Sequence, residues 1–146
     1  MDKRIGFLVL FLVAILIPYE YIIKALPMVR RGFDIVASTE LAHIIGHTLL
    51  FASLVFLTLM LFDLKLDART ALLLGLGVLA VGFGQEYFQL QVKGRGFGNP
   101  ELFDLGVDLA GASLGWLVSA HLLPYRRYLR IAWFILRNGP VGHHVS

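Results

Sequence analysis

The sequence predicts an all-α integral membrane protein, a four-helix bundle followed by an amphipathic helix lying on the membrane surface. Three observations predict it. Of the 146 residues 58% are apolar and 16% charged, with a mean hydropathy of +0.75, against roughly 45–50% apolar and about a quarter charged in soluble domains. Four apolar stretches approach the ~20 residues that cross a hydrocarbon core about 30 Å thick. The connections between them are short and rich in Gly, Pro and charge, so the chain reads as one domain over residues 1–146. The abundance of Phe, Tyr and Trp argues against disorder. The absence of Cys removes disulfides, thiolate metal sites and cysteine nucleophiles together. The charge of +3 is scattered between apolar runs. We therefore expect a lipid bilayer as the surrounding partner and no nucleic acid.

The first span is expected over residues 5–23. Lys3 and Arg4 before it resemble the start of a signal peptide, but the bulky Ile15, Leu16 and Ile17 stand before Pro18 where small residues would be wanted. An uncleaved helix is the favoured reading, with a site near Ala25 as the alternative. The second span is expected over 41–62, the third over 70–92 and the fourth over 102–123, since lipid offers a backbone N–H or C=O no partner and helices satisfy their own. After Pro124, residues 125–137 place Arg126, Arg127, Arg130 and Arg137 on one side of a helix and Tyr128, Leu129, Ala132, Ile135 and Leu136 on the other, the pattern of a surface anchor. Lys3, Arg4, Lys65, Arg69 and these four arginines outnumber Lys24, Arg30, Arg31, Lys93 and Arg95 on the opposite side. That excess predicts cytoplasmic N- and C-termini. His143 and His144 read as part of a frayed tail.

The informative residues are the polar ones inside the spans, each of which costs about 2.5–3.5 kcal/mol at a helix centre if ionised. His43 and His47 open the second span, Gln85, Glu86 and Gln89 close the third, and Asp104 and Asp108 open the fourth. All three locations fall on one side of the bilayer, the outer side in the expected orientation. At 3.6 residues per turn, Asp104, Asp108, Gly111 and Gly115 share an arc of about 60°. Gly75, Gly82, Glu86 and Gln89 share a similar one, and His43 and His47 stand one turn apart. Glycines at 75, 82, 111 and 115 let neighbouring backbones approach, so the faces bearing the acids are read as the packed faces. A polar pocket between the second, third and fourth helices is the expectation, with apolar side chains below it.

The pocket's residue types allow several chemistries. Two His one turn apart with nearby carboxylates have metal-ligand character, but a mutually satisfied His and acid cluster is the preferred reading, and neither a metal nor a cofactor is assigned. Glu86, about two turns or roughly 9 Å from its helix end, is the candidate for acid and base work. Ser113 and Ser119 have no evident base, so covalent catalysis is unsupported. Arg95, in a Gly-rich loop with Lys93, suits bidentate binding of phosphate or carboxylate and equally suits a salt bridge to Glu86 or Asp104. Glu20 falls on the same side, as a further member of the network or an interfacial residue.

At these residues the sequence resembles the VanZ-like family of small bacterial membrane proteins. The resemblance rests on Glu86-Tyr-Phe-Gln89, Arg95, Asp104-Leu-Gly-Val-Asp108, Gly111-Ala112 and Gly115, with His43 at a further family position, and covers roughly residues 40–118. The chain departs from the family in having Thr39 and Glu40 where an Asp-Lys pair is common, Asp108 where Asn is usual, and a longer loop between Arg95 and Asp104. The family is named for a member linked to teicoplanin resistance. The resemblance implies a bacterial cell membrane and a link to envelope glycans or their lipid carriers, but no reaction. The resulting expectation is an outward-facing pocket that binds an anionic cell-envelope or lipid-linked molecule through His43, His47, Glu86, Gln89, Arg95, Asp104 and Asp108. Alternatives are an accessory structural subunit of a larger membrane complex and a metal-dependent membrane hydrolase.

Overall fold

The computed structural model describes residues 2–17 and 39–137, with side chains to Leu122 and at Tyr125. These residues form four α-helices: α1 (Lys3–Leu16), α2 (Glu40–Phe62), α3 (Ala68–Lys93) and α4 (Asn99–Arg137). Three segments, Glu40–Phe62, Ala68–Lys93 and Asn99–Leu122, are long and apolar enough to cross a membrane. The outer part of the first expected span, Glu20, Ala25, Lys24, Arg30 and Arg31 lie outside the described residues, as do His143 and His144. So do the side chains of Arg126, Arg127, Arg130 and Arg137.

The starts of α1, α2 and α3 are each set by a residue whose side chain accepts from an otherwise orphaned N–H. Asp2 accepts from Arg4 N at 3.0 Å, Thr39 from Ala42 N at 3.1 Å and Asp67 from Thr70 N at 2.8 Å. Helix α2 ends on Asp63 and α3 on Gly94, both in the left-handed conformation at φ 51° and 65°. Gly94 takes that geometry without a Cβ penalty, and Asp is among the few other residues that tolerate it.

Two boundaries differ from the sequence expectation. Helix α1 stops at Leu16, with Ile17 extended at ψ 118°, because the residue before a proline is driven out of the helical region. It is a helix of 14 residues, shorter than the span expected over 5–23. At the other end, no break falls at Pro124: α4 runs 39 residues without interruption, where the sequence suggested a separate surface helix from 125. Proline removes one backbone bond, but adding turns to an existing helix needs no new nucleus.

Helix α4 packs chiefly on α2 and secondarily on α3, while α1 touches α2 and α3. Arg4 Nη1 donates to Leu61 O at 3.0 Å, which ties the start of α1 to the last turn of α2. The starts of α2 and α4 therefore lie at one end with the close of α3, and α2 and α4 run parallel. Along their seam, a Cβ on Gly111 would come within 2.5 Å of Thr48 O, and one on Gly115 would collide with the Ala52 carbonyl. These two glycines bring backbone against backbone. Gly82 makes the equivalent approach on α3, where a Cβ would meet the Asp108 carboxylate. Gly75 does not pack as expected: nothing lies within 4 Å of its Cβ position, and it borders a cavity instead.

The core between the helices is Ile15, Phe51, Leu54, Val55, Leu59, Val78 and Ala112. Outside it the usual sorting is inverted. Leu10, Leu41, Leu72 and Leu117 are 63–68% exposed, whereas Glu86, Glu101 and Asp108 are at most 3% exposed. In water that arrangement would cost stability on both counts; in hydrocarbon it satisfies both. Gly111→Ala is expected to lower unfolding stability in detergent by about 1–3 kcal/mol through overpacking on Thr48. Gly106→Ala on the same helix, where the new methyl meets nothing within 4 Å, is expected to raise it through helix propensity. Equal effects of the two would contradict the close seam.

Candidate functional site

The site is built from helix starts. Thr39 caps α2 and leaves His43 and His47 one turn apart on a common face. Helix α4 begins after Gly98, whose carbonyl accepts from Leu102 N at 3.3 Å. Glu101, three residues on, returns its carboxylate to Gly98 N at 2.8 Å, the second half of a capping box, and Pro100 sits in the first turn where its missing N–H costs nothing. This start aims Asp104 and Asp108 along the α2 seam.

Because α2 and α4 are parallel and both step by four, their polar residues meet as two rungs. His43 Nε2 stands 3.2 Å from Asp104 Oδ2, and His47 Nδ1 stands 2.7 Å from Asp108 Oδ1. The imidazole rings lie 4.4 Å apart, and Phe51 continues the column beneath His47. The rungs form a gradient from surface to interior. Side-chain exposure is 38% and 14% for the upper pair, 8% and 0% for the lower.

Helix α3 closes the cluster. The second oxygen of Asp108 lies on the bare Cα of Gly82, one turn before Glu86. Glu86 is buried within electrostatic reach of Asp104, His47, Lys93 and Asp108. The acids and imidazoles on three helices thus face one another. Gln89 is buried and accepts from Lys93 Nζ at 3.1 Å, so it positions a cation at the rim. Gln85 Oε1, Glu86 Oε1 and Asp108 Oδ2 are buried acceptors that make no hydrogen bond among the described residues.

Arg95 takes neither partner the sequence suggested. Its Nη2 meets Glu101 Oε1 at 2.6 Å, and the arginine side chain remains 50% exposed above a carboxylate that is 1% exposed. Glu101 is the site residue that sequence reasoning missed. The available signal was Gly98-Asn-Pro-Glu101 itself, since Pro in a first turn followed by Glu at the third position marks a helix start.

Chemically, the cluster can accept and relay protons, because each imidazole faces a carboxylate and the lower pair is shielded from water. Among the described residues no three His, Asp or Glu side chains are placed to share a metal ion. The hydroxyls of Ser113 and Ser119 donate at 2.8 Å to Leu109 O and Gly115 O of their own helix. Against family models, curated proteins and solved structures, the chain matches none.

A double-mutant cycle on the lower rung tests this geometry. His47→Leu and Asp108→Leu are each expected to destabilise by stranding a buried partner, and the double variant to recover part of the loss. A coupling of about 1–2 kcal/mol is expected from unfolding in detergent, the range of interhelical hydrogen bonds in membranes. Additive effects would mean the two groups do not interact.

Proposed function

We propose that this chain is a VanZ-like protein of the bacterial cell membrane, a four-helix membrane bundle whose polar end faces outward and binds the anionic headgroup of a cell-envelope or lipid-linked molecule. In this reading both termini are cytoplasmic, and residues 125–137, with their arginines, continue α4 beyond the inner membrane surface.

The observation that carries the reading is the sorting of charge by depth at the polar end. Glu86, Glu101 and Asp108 are buried, while Lys93 at the end of α3 and Arg95 in the adjoining loop are exposed and His43 is partly so. Glu40, in the first turn of α2, is the exposed acid among the described residues of the same region. Buried acceptors hold exposed cations in place: the Glu101 carboxylate fixes one side of the Arg95 fork, and the Gln89 amide oxygen holds Lys93. Cations positioned in advance lose less side-chain freedom on binding an anion than mobile ones do. Arg95 keeps further N–H donors for a planar oxyanion, and the glycines at 94 and 96 keep side chains out of the way of its approach. Beneath these cations lie the two His and Asp rungs, an imidazole facing a carboxylate at each level.

Phosphatidic acid is a suitable probe because it presents an alkyl phosphate at a membrane surface. Native mass spectrometry of the detergent-purified protein is expected to show phosphatidic acid retained over phosphatidylcholine. Arg95→Ala should weaken that retention about tenfold, the scale of one charge-assisted hydrogen bond. Glu101→Gln should weaken it less, by loosening Arg95 without removing it. Equal retention of the two lipids, or an Arg95→Ala variant that binds as the parent does, would overturn the proposal.

A further inference from the structure

Three oxygens inside the polar cluster have no hydrogen-bond donor among the described residues: Gln85 Oε1, Glu86 Oε1 and Asp108 Oδ2. The residues that carry them are 8%, 3% and 0% exposed. We propose that these three oxygens bind one sodium ion between α3 and α4.

Helical phase brings the three to one place. Asp108 Oδ2 lies on the bare Cα of Gly82. Gln85 and Glu86 follow Gly82 by three and four residues, so they stand on either side of it, one turn further along α3. Side chains in a helix lean toward its N-terminus, which brings both down over the Gly82 turn. Glu86 is accordingly within electrostatic reach of Asp108. The space they share exists because residue 82 has no side chain, since a Cβ there would collide with the Asp108 oxygen.

The neighbouring donors are directed elsewhere. His47 Nδ1 faces the other oxygen of Asp108, His43 faces Asp104, Lys93 donates to Gln89 and Arg95 to Glu101. A proton on Glu86 would create one donor and leave one of the three acceptors unserved. A water molecule donates twice, with the same shortfall, and neutralises nothing. Turning the Gln85 amide over would give an N–H to one carboxylate and leave two like charges side by side. A cation takes lone pairs from all three oxygens at once and supplies the counter-charge that buried carboxylates need in hydrocarbon. Carboxylate and amide oxygens suit hard cations. Two carboxylates and one amide fall short of the three His, Asp or Glu side chains that would share a multivalent metal, and His47 already faces one of the acids, so a single positive charge matches the set. The way in is the upper rung, where the His43 and Asp104 side chains are 38% and 14% exposed and Asp104 is within reach of Glu86. This inference concerns the acids beneath the loop and does not depend on what binds at Arg95.

The test follows unfolding of the full-length protein in detergent against sodium chloride, with choline chloride holding the ionic strength constant. An ion that binds only the folded state raises the midpoint with its concentration, so the parent is expected to gain stability in sodium over choline. Glu86→Gln keeps an oxygen but loses the charge, and Gln85→Leu loses a neutral oxygen while leaving both acids in place. Each should need about tenfold more sodium for the same gain. Gln91→Leu, at an exposed position of the same helix, should respond as the parent does. Binding of radioactive sodium to the purified parent is expected as well, and it does not depend on any variant folding. A parent that binds no radioactive sodium would overturn the proposal. So would a midpoint that is the same in sodium and choline and moves only with pH, which would assign the site to a shared proton, and so would a sodium gain undiminished in Glu86→Gln.

Discussion

The parallel seam between α2 and α4 is the constraint on which the rest of this protein depends. In hydrocarbon there is no hydrophobic force to press two helices together, so dispersion between close backbones and a few hydrogen bonds must do it. Gly111 against Thr48 and Gly115 against Ala52 supply the close approach. Their effect reaches one turn up the helix, where the same proximity sets Asp108 at 2.7 Å from His47. A wider seam would strand an imidazole and a carboxylate in an apolar medium, each at considerable cost. Packing and polar satisfaction are thus one arrangement here, since the glycines that allow the first also enforce the second.

Asp108 links this seam to the third spanning helix. One of its oxygens faces α2 through His47, and the other rests on α3 at Gly82, a turn below Glu86. A residue that touches three helices in this way fixes their rotation about their own axes as well as their separation. The consequence is a cluster with depth: a partly exposed upper rung, a buried lower rung, and a buried glutamate beside it. Such a gradient lets charge at the surface be felt by groups that no headgroup could touch.

The two ends of the molecule differ in chemistry. At the α2 to α3 connection, polar groups chiefly complete helices: Asp67 starts α3, Asp63 ends α2 and Arg4 meets a carbonyl of α2's last turn. At the opposite end Glu101 caps α4 and at the same time holds Arg95. That double use makes the loop before α4 a presented structure, and it explains why a charge pair with one member almost fully buried sits at the edge of a membrane span.

What the sequence determined by itself are properties of single helices. The second and third spans, expected over 41–62 and 70–92, agree with Glu40–Phe62 and Ala68–Lys93 to within two residues, because hydropathy and capping act locally. The phase that put His43 with His47, and Asp104 with Asp108, on common faces is likewise set by one helix's periodicity. The helix edge at Pro18 could have been read from the proline, whereas the continuation through Pro124 could not, since it depends on whether a helix already formed upstream carries on. Partners were decided only by tertiary structure. That Arg95 meets Glu101, that Gly82 receives Asp108 while Gly75 opens onto a cavity, and that each histidine finds a particular aspartate all follow from how the helices are rotated and offset against one another. The physical reason is that a sequence period says which residues share a face, but register and rotation between helices come from three-dimensional packing at Gly111 and Gly115, which no single helix contains.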